Sequence, residues 1–296
     1  MIKKFTFKKI ARTALLLLFL QSVFVLHSCG KPEVIPAYIH IDSVNLKTTA
    51  NVDGTNSHNI PDAWVYVDNQ LVGDFELPAT IPIPANGTHV VQVAPGIREN
   101  GATAEREPYP FYTLWSQTMN LVPKTVTVVK PVSNYTSYSH PFDWSENFEL
   151  AGLSLVDTVG TDTTIRRDTL KPFEGRVSGS VYLDGKPGKV AGSHHYTFFC
   201  QSATSFPRPV GSPVYMEINY KCNNKFSVGL INVSDNNSIS YVFFNPNPTW
   251  KKMYVRLTDV LNGVTVGGSY RLFFTMTKDP LVDIAEMHFD NIKLIH

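Results

Sequence analysis

Val214-Tyr215-Met216-Glu217-Ile218-Asn219-Tyr220 decides how this chain is read. It is a short β-type run, and it is one of a series. Residues 179–183, 196–202, 226–232, 240–244, 253–257, 270–276 and 285–295 have the same character, with Pro, Gly and Asn punctuation between them. Short strands at regular spacing predict a sandwich or jelly roll. No convincing amphipathic helix follows residue 28, so the expected class is all-β: a small β-sandwich followed by a jelly-roll sandwich.

The smaller sandwich is expected over residues 35–138. Tyr38-Ile39-His40-Ile41 opens it as an alternating strand. Ala63-Trp64-Val65-Tyr66-Val67-Asp68 comes next and runs into a turn at Asp68-Asn69-Gln70. Asn86-Gly87 is a second turn pair, ahead of Thr88-His89-Val90-Val91-Gln92-Val93. Over about residues 61–97 this order resembles the PEGA family: Val-Tyr-Val-Asp, then Val-Gly, then Pro, then Gly-Thr-His-Val-Val and Pro95-Gly96. Pro61-Asp62-Ala63-Trp64 replaces the signature tetrapeptide of that family. The resemblance implies an Ig-like β-sandwich that is a non-catalytic envelope module.

Residues 132–141 read as a connection, and the second domain is placed at 139–296, with its folded part starting near Phe142. Three pieces together resemble the galactose-binding-like jelly rolls that include many carbohydrate-binding modules. They are the opening quotation, Trp250-Lys251-Lys252-Met253-Tyr254-Val255-Arg256-Leu257 and Phe289-Asp290-Asn291-Ile292-Lys293-Leu294. The resemblance implies a structural calcium ion between the opening and closing strands, with Glu149 and Asp290 as its ligands. Carboxylates suit such a hard cation. The alternative is that Asp290 caps a turn or faces water.

At the other end, Lys3, Lys4, Lys8, Lys9 and Arg12 precede an apolar stretch, Ala14 to Leu26, that is short for a membrane-spanning helix. Leu26-His27-Ser28-Cys29 then resembles a lipobox. The expectation is a lipoprotein signal over residues 1–28, a lipid-bearing Cys29, a tether over 29–34, and anchorage to an outer membrane of the Bacteroidota type. More than one acyl chain makes such an anchor stable. Residues 1–28 carry five basic and no acidic side chains, so the remainder has 21 basic against 25 acidic residues. A mildly acidic chain without basic runs excludes nucleic acid as a partner. Cys200 and Cys222 remain in an oxidising compartment, as a bridge or as buried thiols. If residues 196–202 and 214–222 form one direct hairpin, its register works against the bridge.

No nucleophile elbow, zinc-binding helix or phosphate-cradling loop is present, and no enzyme is expected. His194-His195 on a strand would face opposite ways. Tyr109, Phe111, Tyr112 and Trp115 form the densest aromatic group, read either as a domain interface or as a partner or glycan contact. Asp42-Ser43-Val44, Asp157-Thr158-Val159, Asp162-Thr163-Thr164 and Asp168-Thr169-Leu170 resemble an O-glycosylation sequon, which marks Ser43, Thr158, Thr163 and Thr169. The leading functional expectation is a non-catalytic docking subunit for an outer-membrane or surface protein complex. The alternative is a lipoprotein that binds polysaccharide through its jelly roll.

Overall fold

The computed structural model describes residues 35–49, 52–139, 142–158, 161, 163–187 and 195–296. The leader, the lipobox and Cys29 lie outside them, as do Asp162 and His194. Apart from two short 3-10 turns, the regular structure among the described residues is β throughout.

The first half builds two main sheets. One places Gln70–Glu76, Asp62–Val67, Gly87–Arg98 and Arg106–Pro108 side by side, with Trp115–Leu121 also paired to Gly87–Arg98. The other orders Ala79–Ile83, Ala37–Ile41 and Val126–Val129, the last pair parallel. Asp68 and Asn69 sit at φ 49° and 65°. Two successive positive φ values match the twist of a tight hairpin, and Asp and Asn tolerate them. Ile39, Ile41, Val65, Ile81, Val91 and Val93 are fully buried between the sheets.

The second half is a sandwich of two six-stranded sheets. The back sheet runs Arg166–Asp168, Ser178–Leu183, Ala285–Ile295, Tyr215–Cys222, Asn247–Arg256, with Trp144–Glu146 added beside Ala285–Ile295. The front sheet runs Leu155–Asp157, Thr197–Ser202, Ser269–Thr277, Phe226–Asn232, Asn237–Phe244, with Phe206–Pro207 added beside Ser269–Thr277. Every pairing in the two sheets is antiparallel. Inward residues, such as Met216, Ile218, Val228, Leu272, Phe274 and Phe289, close the core.

Thr197–Ser202 and Tyr215–Cys222 lie in opposite sheets, so the hairpin considered for them does not form. Cys200 and Cys222 are both buried free thiols.

The halves meet through the outer face of the back sheet. Tyr215, Tyr254 and Ile295 from that sheet join the core of the first half, alongside Tyr109, Phe111, Tyr112 and Tyr135. At the centre Glu217 is fully buried and accepts from Tyr109 Oη at 2.8 Å and Tyr135 Oη at 2.7 Å. Lys252 Nζ pairs with it at 2.8 Å, and Lys293 Nζ donates to Tyr135 Oη at 3.0 Å. Burial opposes an ionised Glu217, but Lys252 and Lys293 outweigh it and hold the carboxyl below its ordinary value. Burial pushes the Lys293 ammonium down to about 8.

This geometry corrects the contact reading of the dense aromatic group. Tyr109, Phe111 and Tyr112 are 2, 1 and 5% exposed, and Trp115 is half-buried against the first core. Tyr109, Phe111 and Tyr112 fill the joint between the halves and offer no outside surface. Of the marked hydroxyl residues, Ser43 and Thr169 are exposed and Thr158 is half-buried. Thr163 is buried, which denies a glycan room there in the folded chain.

Candidate functional site

The back sheet is half covered by the first domain, so the wide free surface of the sandwich is the outer face of the front sheet. Strand register dictates what stands there. Phe199, Thr275, Ser227 and Phe243 form one row across four strands, and Gln201, Phe273 and Gly229 form the next. Strands lie roughly 4.8 Å apart, so Phe199 and Phe243 stand about 14 Å from each other, with only Thr275 and Ser227 between them. Two aromatic side chains flanking small hydroxyl residues make a groove.

Gly229 shapes the floor of this groove. A bulge in the pairing falls between Val228 and Gly229. A Cβ at Gly229 would stand 2.6 Å from the Phe273 ring and collide with the Ile239 carbonyl. The missing side chain is what lets the Phe273 ring lie down on the sheet, 1% exposed. Phe199 stacks on it, centroids 4.9 Å apart and planes 12° from parallel. Phe199 itself is half-buried, so part of its ring faces solvent over a rigid support.

A cleft of about 680 Å³ opens beside Phe199, with Phe199 and Ile231 as its apolar lining and Gln201, Asn236, Ser238 and Thr158 as its polar one; Phe243, Thr275 and Ser227 do not line it. Asp157 lines it too, its carboxyl raised above the ordinary value by partial desolvation. Phe243, 56% exposed, carries Lys225 Nζ 4.8 Å over its ring. The volume falls within the range of small-molecule sites, roughly 300–1,000 Å³. Apolar ring faces with amide and hydroxyl groups around them suit a ligand with apolar faces and hydroxyl edges. The groups in the cleft form no nucleophile–base pair.

Phe243 is exposed, whereas Tyr215 and Tyr220 are buried. Phe199 and Gln201 went unnoticed. The signal for them was the odd-position set of residues 197–201, opposite buried Phe198 and Cys200. Trp144 is buried in the core.

The expected calcium ligands lie elsewhere, on the back sheet. Ala285–Ile295 carries one residue more than Tyr215–Cys222 between Lys293 and Asp290, and Asn291 takes up the excess at φ 49°. The bulge leaves Asp290 1% exposed, with Oδ1 accepting from Asn291 N at 2.8 Å and Oδ2 without a hydrogen bond. Burial, with the charges of Glu174 and Glu149, pushes its carboxyl up to about 7. Glu149 Oε1 accepts from Arg176 N and Val177 N at 2.7 and 3.0 Å. Among the described residues no three carboxylate, imidazole or thiol groups converge as a ready cage. The buried Asp290 Oδ2 is left without a hydrogen bond, while Glu149 and Glu174 already have partners in Arg176, Val177, Thr55 and Asn291.

No family model matches the chain, and no curated protein matches it. Several solved structures are similar to it. One is described as carbohydrate-binding modules from the beta-sandwich superfamily: 13% identity over 79% of this chain and 85% of that one, TM-score 0.36. Another is a C-terminal family 22 carbohydrate-binding module of Clostridium thermocellum: 10% identity over 54% and 96%, TM-score 0.36. A family 29 carbohydrate-binding module gives 11% identity over 52% and 91%, TM-score 0.33. Likeness of this size carries no argument about what the chain does.

Proposed function

We propose that this protein is a non-catalytic carbohydrate-binding protein that takes a neutral polysaccharide into the cleft of the front sheet. The observation that carries the reading is Phe199, a solvent-facing ring held flat on Phe273 inside an open groove with amide and hydroxyl groups around it. An aromatic face meets the C–H face of a sugar, and the amides and hydroxyls meet its edges. In the same reading Cys29 carries the lipid that holds the cleft at an outer membrane, supported by the basic leader and lipobox. Asp290 and Glu149 hold a structural calcium ion that steadies the sandwich away from the cleft. The docking-subunit reading loses its proposed contact surface, because Tyr109, Phe111 and Tyr112 are buried in the joint.

Electrophoresis of the protein through gels cast with soluble xylan, β-glucan, galactomannan or no polysaccharide tests the reading. Retardation by one or more neutral polymers is expected. Equal mobility in all gels, at polymer concentrations up to the gel limit, would overturn it.

A further inference from the structure

The first domain covers the outer face of the back sheet around Tyr215, Glu217, Asn219, Tyr254, Lys293 and Ile295. Further along, Lys221 stands directly opposite His288, and Tyr182 opposite Glu286. A separate hollow of about 250 Å³ opens among Lys171, Lys221, Glu286, His288 and Pro248. It is smaller than the front cleft and on the opposite sheet.

Its groups are partly matched and partly not. Lys171 Nζ lies 2.9 Å from Glu286 Oε2, and His288 Nε2 lies 3.2 Å from the same oxygen. His288 is 2% exposed; its Nδ1 makes no hydrogen bond and lies 3.6 Å from Asp168 Oδ2. Tyr182 Oη donates to Asp168 Oδ2 at 3.1 Å. Lys221 differs from these. Among the described residues it forms no ion pair, and its Nζ sits 4.9 Å over the Trp250 ring. Burial, with the neighbouring Lys171, lowers its ammonium pKa against the opposing pull of Asp168 and Glu286, so a further counter-charge is still favoured there. Trp250 is held edge-on by Phe173 at 5.5 Å, which fixes the wall on which Lys221 rests.

We propose that this hollow is a second saccharide site, specific for a sugar ring that bears one carboxylate, a hexuronate. The unpaired Lys221 ammonium takes the carboxylate. Glu286, which lines the hollow, accepts from a ring hydroxyl, an arrangement that a phosphate or sulfate dense in negative charge would not tolerate. Pro248 gives the apolar side. The hollow is of a size for one ring, not for a chain. The site does not depend on the front cleft binding anything.

Titration calorimetry with trigalacturonate and with neutral galactotriose, on the wild-type protein and on Lys221→Met and Phe199→Ala, tests this. Trigalacturonate is expected to bind the wild type and Phe199→Ala equally, and to bind Lys221→Met at least fivefold more weakly, with an unchanged melting curve. Binding should weaken with added salt. Galactotriose should not compete for this site. The proposal is overturned if the wild type does not bind trigalacturonate, or if binding is lost in Phe199→Ala and kept in Lys221→Met. The latter result would assign acidic sugars to the front cleft and leave the reading of that cleft standing. Lys221→Gln, which also removes the charge, must reproduce the Lys221→Met loss if that variant melts early.

Discussion

Phe199 and Phe273 lie almost parallel, 12° apart, with the buried ring serving as a plinth for the half-exposed one. The lower ring is fixed by the sheet, so the upper one needs no ordering when a sugar lands on it, and that preorganisation lowers the cost of binding. Phe199→Ala should weaken polysaccharide binding roughly tenfold, since a stacked aromatic contact contributes about 0.5–1.5 kcal/mol beyond its area. The melting temperature should change little, as Phe199 lies outside both cores. Calorimetric titration and a thermal melt of the same sample check both halves.

Gly229 gives a sharper test of how the platform is built. Gly229→Ala places a methyl 2.6 Å from the Phe273 ring, so the ring must lift or the strand must shift. A stability loss of about 1–3 kcal/mol is expected, as for overpacking. Binding should fall with it even where the protein stays folded. Urea denaturation together with gel retardation measures the pair of effects.

The joint between the halves rests on Glu217. Glu217→Gln keeps its size but leaves the buried Lys252 without its ion-pair partner and removes the largest counter-charge on Lys293. Breaking a buried pair in this way costs about 3–5 kcal/mol. Tyr135→Phe, which removes one hydrogen bond to Glu217, should cost about 1 kcal/mol. The order of the two denaturation midpoints is the measurement.

Asp290 ties stability to pH. Its carboxyl titrates near 7 in the folded chain, against an ordinary value of 3.8. Between these two values the folded state holds a proton that the unfolded state has released. Stability from this group therefore falls as pH rises through that window, and the loss is complete above pH 7. A calcium ion at Asp290, as proposed above, would remove the loss by supplying the missing partner. Melts at pH 5 and pH 8, with EDTA and with calcium chloride, should show a calcium gain at pH 8 that shrinks at pH 5 and vanishes in Asp290→Asn.

Much of this architecture was legible in the sequence, because strand runs and turn pairs are local signals. Asp68-Asn69 announced its hairpin, and residues 226–232 and 285–295 coincide with strands of the structure. What stayed hidden depended on long-range pairing. Thr197–Ser202 and Tyr215–Cys222 are close in sequence but belong to opposite sheets, and no local pattern says so. The groove was hidden for the same reason. Phe199 and Phe243 lie 44 positions apart in the chain and become members of one row only through the register of the two strands between them. The aromatics Tyr109 to Tyr112 misled in the opposite direction, since a run of rings looks alike whether it faces water or a second domain.

The most direct test is a crystal structure of the protein with a neutral hexasaccharide of the polymer that retards it in gels. The account predicts sugar rings lying along the outer face of the front sheet, one of them against the exposed face of Phe199, with hydrogen bonds to Gln201 or Asn236. Sugar bound at the loop ends of the sandwich, or only on the back sheet, with the groove between Phe199 and Phe243 empty, would contradict it.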